Sequence, residues 1–292
     1  MLLPLSFCRG INSGTNAVFT YLRPYISVNT SPLVMSSQLF SLEGKVVVIT
    51  GATKGIGEGM ASGLAEAGAE IILVHRPSTD PQRVIDKLLG LGAYKVHPLA
   101  FDSSNIAGVN QVLSKSLELS STGTVDVLIN NAGIQEKNPP ELHSDEQWER
   151  VLKVNLESPF KLARSFGKYW LDNGKRGKII NTGSLYSFRG GFNCVSYTAS
   201  KSAIHAVTQA LSNEWSSKGI NVNTIIPGYI DTDLTQHIMN NPEKREVFLQ
   251  RIPMARFGVP DDFKGPIVFL SSAASDYLTG GYIAVDGGFL SL

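Results

Sequence analysis

Seven short runs of β-branched and aliphatic residues recur along this chain, and amphipathic stretches separate them. The runs are K-V-V-V-I-T (45–50), E-I-I-L-V-H (70–75), K-V-H-P-L (95–99), V-D-V-L-I-N (125–130), K-I-I-N-T (178–182), I-N-V-N-T-I-I (220–226) and Y-I-A-V-D (282–286). Helical patterning falls between them, near 55–67, 81–91, 104–119, 144–171, 196–217 and 260–272. Near-continuous apolar strands suit a parallel sheet buried on both faces, and each parallel connection needs a crossover, usually a helix. The alternation predicts an α/β fold, a single doubly wound domain whose seven-stranded parallel sheet is flanked by helices on both faces. A ligand is expected beyond the carboxyl ends of the strands, near the first and fourth, where the strand order reverses.

No linker or charge run divides the 292 residues, so one domain is expected over residues 39–292. A net charge of +1 offers no basic field for nucleic acid, and no apolar run approaches the ~20 residues that span a bilayer. Neither nucleic acid nor membrane is therefore an expected partner. The two cysteines and five scattered histidines show no ligand spacing, so no metal is expected. Cys194 is expected to line a cleft or pack in the core, Trp148, Trp170 and Trp215, on apolar helix faces, to pack in the core or at a subunit contact, and the charged stretch 241–246 to form a solvated lid helix. Residues 1–38 form a leader that lacks Asp and Glu, carries Arg9 and Arg23, and is rich in Ser, Thr and Asn. That composition fits an organelle-targeting presequence, a disordered tail, or sequence upstream of a start at Met35. Mitochondrial and cytoplasmic locations both follow as expectations.

Two motifs carry chemistry. Thr50-Gly51 ends the first strand and Gly55-Ile56-Gly57 opens the next helix, so glycines allow a tight turn and let N–H groups at the positive helix end approach a pyrophosphate. Tyr197 and Lys201 lie one helical turn apart, in Y-T-A-S-K. An ammonium so placed is expected to lower the phenol pKa from about 10 and make it a proton donor and acceptor.

The series T-G-A-T-K-G-I-G (50–57), N-N-A-G (130–133), N-T-G-S (181–184), Y-T-A-S-K (197–201) and P-G (227–228) resembles that of the short-chain dehydrogenase/reductase family, over roughly residues 40–292. The resemblance implies a Rossmann-type domain, a nicotinamide cofactor, a small-molecule substrate and a homotetramer or homodimer. Carried over residue by residue, it implies a catalytic set of Asn155, Ser184, Tyr197 and Lys201. Ser184 would hold the substrate oxygen, Tyr197 would give or take its proton, and Lys201 would serve both the phenol and the cofactor ribose. The same resemblance places Gly51, Thr53, Lys54, Gly55, Ile56 and Gly57 around the phosphates, and Asp102 at the adenine. Asn131, Ala132 and Gly133 fall beside the ribose, and Pro227, Gly228, Ile230 and Thr232 beside the carboxamide, with Tyr197 and Lys201 also touching the cofactor. Pro159 follows Asn155 by four residues and is expected to kink a single long helix there.

An NAD enzyme usually carries an acid after the second strand, to accept the ribose 2′-OH, whereas this chain has His75 and Arg76, with Lys54 nearby in the glycine loop. These cations favour NADP(H), with NAD(H) as the alternative. The C-terminal third, from R-I-P-M-A-R-F-G to A-V-D-G-G, resembles the 2-deoxy-D-gluconate 3-dehydrogenase branch, also called 2-dehydro-3-deoxy-D-gluconate 5-dehydrogenase. That branch implies interconversion of a secondary alcohol and a ketone on a sugar acid, polyol or ketose. The alternatives are a 3-oxoacyl-(acyl-carrier-protein) reductase and, in another class, a nucleotide-sensing Rossmann protein without turnover. A sensor has no need of Ser184, Tyr197 and Lys201 together, and all three are present.

Overall fold

The computed structural model describes residues 38–292. The leader, and with it the targeting expectation, lies outside the described residues. The apolar runs form β1 (Val46–Thr50), β2 (Glu70–His75), β3 (Lys95–Ala100), β4 (Val127–Asn130), β5 (Gly177–Thr182), β6 (Ile220–Pro227) and β7 (Tyr282–Val285). They make one seven-stranded sheet in the order β3-β2-β1-β4-β5-β6-β7, every pair parallel. Val47 of β1 lies opposite Ile71 of β2 on one side and Val127 of β4 on the other. Between β1 and β4 the order reverses, so their crossovers diverge and leave a crevice at the carboxyl ends.

Strand alternation divides the core. Val47, Ile49, Ile71, Leu73 and Ile129 face one layer, where Met60 and Leu64 of α1 (Gly55–Glu66), Leu88 of α2 (Gln82–Gly90) and Ile267 of α9 (Lys264–Ser271) meet them. Val46, Val48, Ile72, Val74 and Leu128 face the other, against Val109 and Val112 of α3 (Val109–Leu119) and Leu162, Phe166 and Trp170 of α5 (Ser158–Asp172). Trp170 is fully buried and its Nε1 donates to the Val125 carbonyl at 2.7 Å. Trp215 is partly buried against the same layer, whereas Trp148 lies outside the core, 38% exposed on α4 (Asp145–Leu152). The longest helix, α6 (Val195–Trp215), presents Ser196, Ser200, Ile204, Thr208 and Ser212 inward. Small side chains at helical spacing let it lie close to the sheet.

The helix expected over 144–171 runs from Asp145 to Asp172 with a π turn inside it. Ser144 starts α4 with a capping box to Gln147, and a π turn over Lys153–Glu157 separates α4 from α5, Ser158 N–H donating to the Lys153 carbonyl. Pro159 has no N–H to give, and the helix carries a widened turn just ahead of the proline. The charged 241–246 stretch does form a helix, α8 (Pro242–Leu249), begun by Asn241, whose side chain accepts from Lys244 N–H at 3.0 Å. With the short α7 (Gln236–Met239) it forms a cover, and Ile238, Ile252, Phe257 and Phe289 anchor that cover on Leu185 and Ile226. Among the described residues no helix is long and apolar enough to cross a membrane.

Candidate active site

The β1–α1 turn is shaped by what it must approach. Gly51 has φ +68°, and a Cβ there would sit 2.8 Å from the Ala132 Cα; at Gly57 it would meet the Gly51 carbonyl at 2.3 Å. Asn131 fixes this turn, its Nδ2 donating to the Thr50 and Gly51 carbonyls at 3.1 and 2.9 Å, while Thr50 Oγ1 accepts from Asn131 N and Ala132 N at 3.0 Å. The Asn131 side chain thus braces the loop. Lys54 precedes α1 without a side-chain cap, so the positive end of the helix opens on the crevice. Gly55 lies against Thr232, where a Cβ would meet Cγ2 at 3.3 Å. Gly228 N–H is tied to the Val285 carbonyl at 2.9 Å, and Ile230 is buried, so Pro227–Thr232 forms a fixed opposite rim. These close approaches fit an extended dinucleotide.

The discriminating residues separate. His75 is the last residue of β2, buried, with Nδ1 3.0 Å from the Arg76 carbonyl, so it does not face the crevice as the sequence suggested. Arg76 is exposed and near enough to Asp102 to act on it. Asp102 accepts from Ser104 N–H and Oγ at 2.8 Å each, and these bonds, with Arg76, hold its carboxyl below the usual carboxylate range. Lys54 departs from expectation: its Nζ reaches Asp233, 179 residues along, at 2.7 Å, because the two rims of the crevice approach each other there. Thr53 stands behind the loop, its carbonyl accepting from Arg83 at 3.2 Å.

The four catalytic candidates converge from three elements. Asn155, in the π turn, is 98% buried; its Oδ1 accepts from Ile134 N–H at 2.9 Å and its Nδ2 donates to the Ile134 carbonyl at 2.8 Å and Ser200 Oγ at 3.1 Å. Ser184 follows β5 in a short turn pinned to α6 through Ser187 Oγ, which donates to the Lys201 carbonyl at 2.7 Å. Its hydroxyl acts on the Tyr197 phenol, on the first turn of α6, and favours the ionised form. Lys201 is 5% exposed; its Nζ donates to the Thr182 carbonyl at 2.7 Å and lies 5.7 Å from the Tyr197 ring centre. The expected lowering of the phenol is reversed here. Burial pushes Tyr197 up to about 12 against the Ser184 bond, and burial pulls Lys201 down to about 8. Desolvation outweighs an ammonium that is spent on a carbonyl beside the ring.

The residues matching the short chain dehydrogenase family run from 45 to 243. The chain belongs to that family. A 2-dehydro-3-deoxy-D-gluconate 5-dehydrogenase of Dickeya dadantii is 42% identical over 252 residues, 86% of this chain and 98% of that protein. A 3-oxoacyl-(acyl-carrier-protein) reductase of Vibrio cholerae is 34% identical over 248 residues, 85% of this chain and 98% of that protein. The crystal structure of a gluconate 5-dehydrogenase from Burkholderia cenocepacia, in complex with NADP and tartrate, is similar with a TM-score of 0.82 and 32% identity, covering 88% of this chain and 99% of that one. For a short-chain dehydrogenase, then, the cluster lies where the fold places its crevice.

Sequence reading did not find Thr182, Ile134 or Ser200, because each acts on the site through a main-chain or hydroxyl bond. Tyr186 was also missed. It meets Tyr197 edge-on at 6.1 Å, and its signal was proximity, two residues after Ser184.

Proposed function

We propose that the chain is an NADP(H)-dependent oxidoreductase that interconverts a secondary alcohol and a ketone on a sugar acid. The observation that carries this reading is the meeting of Ser184, Tyr197 and Lys201 beside an uncapped glycine loop with Arg76 at its far end. Gly51, Gly55, Gly57 and the start of α1 would hold the phosphates, Arg76 the 2′-phosphate, Asp102 the adenine, and Lys201 the ribose. Bound there, the nicotinamide supplies or accepts the hydride.

The chain's own residues handle the proton. Ser184 and Tyr197 hydroxyls lie close enough to share one substrate oxygen, which orients the reacting carbon. With its pKa at about 12 the phenol stays protonated at neutral pH and is ready to donate to a ketone. Alcohol oxidation needs the phenolate, which accepts the alcohol proton and becomes the phenol, and the Lys201 ammonium beside the ring favours that phenolate before the transfer. Asn155 holds the Ile134 loop and thereby the floor of the site.

The sugar-acid class rests on the Dickeya and Burkholderia relatives, and NADP(H) on Arg76 and the NADP held by the Burkholderia enzyme. Nicotinamide absorbance with NADP⁺ and sugar acids, against NADPH and a β-ketoacyl thioester, tests the reading; turnover of the thioester alone would replace it with the acyl-carrier reductase. Arg76→Asp is expected to shift the NADP/NAD preference toward NAD by about 10- to 100-fold, read as kcat/KM for each cofactor.

The chain is read as a homo-oligomer. The outer edge of β7 has no partner strand among the described residues, and Phe188, His205 and Tyr282 stack beside it at 4.8–5.6 Å, Tyr282 and Phe188 half-exposed. Light scattering reads the order, dimer or tetramer. A chain begun at Met35 is expected to keep activity, and imaging the full chain tests whether residues 1–34 direct it to mitochondria.

A further inference from the structure

The β1–α1 turn carries three glycines between Gly51 and Gly57, two of them at positive φ, Gly51 at +68° and Gly55 at +56°. A backbone so free loses entropy when a dinucleotide fixes it, so whatever holds it beforehand favours binding. Asn131 holds one end, at the Thr50 and Gly51 carbonyls. The other end is held by a side chain from outside the crevice, Arg83 in the first turn of α2. Its Nη2 donates to the Thr53 carbonyl at 3.2 Å, and its Nη1 and Nη2 donate to the two Glu58 carboxylate oxygens at 3.1 and 2.6 Å. Val84, Ile85 and Leu88 fix α2 on the sheet, so the guanidinium ties the turn to a rigid base.

Glu58 stands in the first turn of α1, its side chain 14% exposed, and Arg83 holds its carboxyl below the usual carboxylate range against the effect of burial. Lys87, one turn further along α2, donates to the same carboxylate at 2.8 Å, and among the described residues it makes no bond to the turn. Arg83 alone therefore joins the carboxylate to the glycine loop. A trans peptide carries its carbonyl and the following N–H on opposite sides. With the Thr53 carbonyl drawn to α2, the Lys54 N–H points away from α2, and the Lys54 side chain likewise leaves α2 for Asp233 on the opposite rim. That N–H joins the donors at the uncapped start of α1, where an anion is favoured.

Resting on the nicotinamide-cofactor reading, we propose that Arg83 is a positioning residue for the cofactor, setting the Thr53–Lys54 peptide so that the glycine loop meets the pyrophosphate already in shape. It serves the part that NADP(H) and NAD(H) share, whereas Arg76 serves the 2′-phosphate alone. Glu58 keeps the guanidinium in place, and Lys87 balances the carboxylate without touching the loop.

Fluorescence titration of the full chain with NADPH and with NADH tests this in wild type, Arg83→Met and Lys87→Met, with KM for a sugar acid at saturating NADP⁺ as a second readout. Arg83→Met is expected to raise Kd for both cofactors by about 10-fold, the loss of one charge-assisted bond to the loop, with the ratio between them and KM for the sugar acid unchanged. Lys87→Met removes a cation from the same carboxylate and no bond from the loop, so both Kd values should stay within about twofold of wild type. Three results would each overturn the proposal: Kd values in Arg83→Met within about twofold of wild type, an equal rise in Lys87→Met, or a rise for NADPH alone, which would make Arg83 a 2′-phosphate contact. Wild type that binds NADPH leaves the cofactor reading standing whichever way Arg83→Met falls. Wild type that binds neither cofactor would overturn both.

Discussion

Glu70 and Lys201 are both buried ionisable side chains, at opposite ends of the sheet, and their surroundings favour the charge of the first and disfavour that of the second. Glu70, 2% exposed at the start of β2, accepts from Ser121 N–H at 2.8 Å, from the Ser121 hydroxyl and from His97 Nε2 at 3.0 Å. Burial alone would raise its pKa, but these bonds together hold it below the ordinary range. Lys201, at the carboxyl end, has the Thr182 carbonyl as its bond, and burial wins, bringing it to about 8. Close by, Thr182 Oγ1 is buried without a partner. Where a buried charge is fully bonded it ties strands and loops together; where it is incompletely bonded it is held ready for another group. The amino end of the sheet serves the fold, and the carboxyl end keeps unspent bonding capacity for a ligand.

Lys201→Met tests the contrast most severely. A folded pKa below the unfolded one, for a base, means that the fold disfavours the charged form, so below about pH 8 the ammonium destabilises the chain. The variant should gain on the order of 2–3 kcal/mol at pH 7, a gain that shrinks between about pH 8 and 10.5 as wild type releases its proton, while turnover is lost. Denaturant melts at both ends of that range measure it, and a variant less stable at pH 7 would break the contrast. Glu70→Gln should move stability the other way, by roughly 1–3 kcal/mol, because it loses a charged acceptor from a bonded network. Wild-type stability from this group is present above pH 4.5 and lost as the pH falls through the lower folded value, so the acid limb of the stability profile should flatten in the variant. The smallest effect belongs to the surface. Lys54 and Asp233 are both more than 70% exposed, so Asp233→Asn should leave the melting temperature unchanged. Freed from Asp233, Lys54 should tighten NADP(H) a few-fold relative to NAD(H), which titration of both cofactors reads.

The strands were legible because burial on both faces demands unbroken β-branched runs, and β2 and β3 start where those runs start. Tyr197 and Lys201 were legible as a pair through their spacing, yet their ionisation was not, since spacing says nothing of depth. His75 was misplaced for a reason the strand itself carried. It is the last residue of β2, a strand buried at every position because both faces of the sheet are covered, and Arg76 is the first residue free of the strand. The π turn escaped because the signal, Pro159, lies after the turn it accompanies. The Lys54–Asp233 pair spans 179 residues and has no local trace.

The central claim, that Tyr197 moves the proton at a site the glycine loop equips with NADP(H), is tested most directly by comparing wild type with Tyr197→Phe, each assayed for NADP⁺-dependent oxidation of a sugar acid and titrated with NADPH. The expected result is a loss of turnover of at least about 100-fold with cofactor affinity nearly unchanged, because the phenol hydroxyl is a proton path and touches no phosphate. Turnover in the variant within a few-fold of wild type would contradict it.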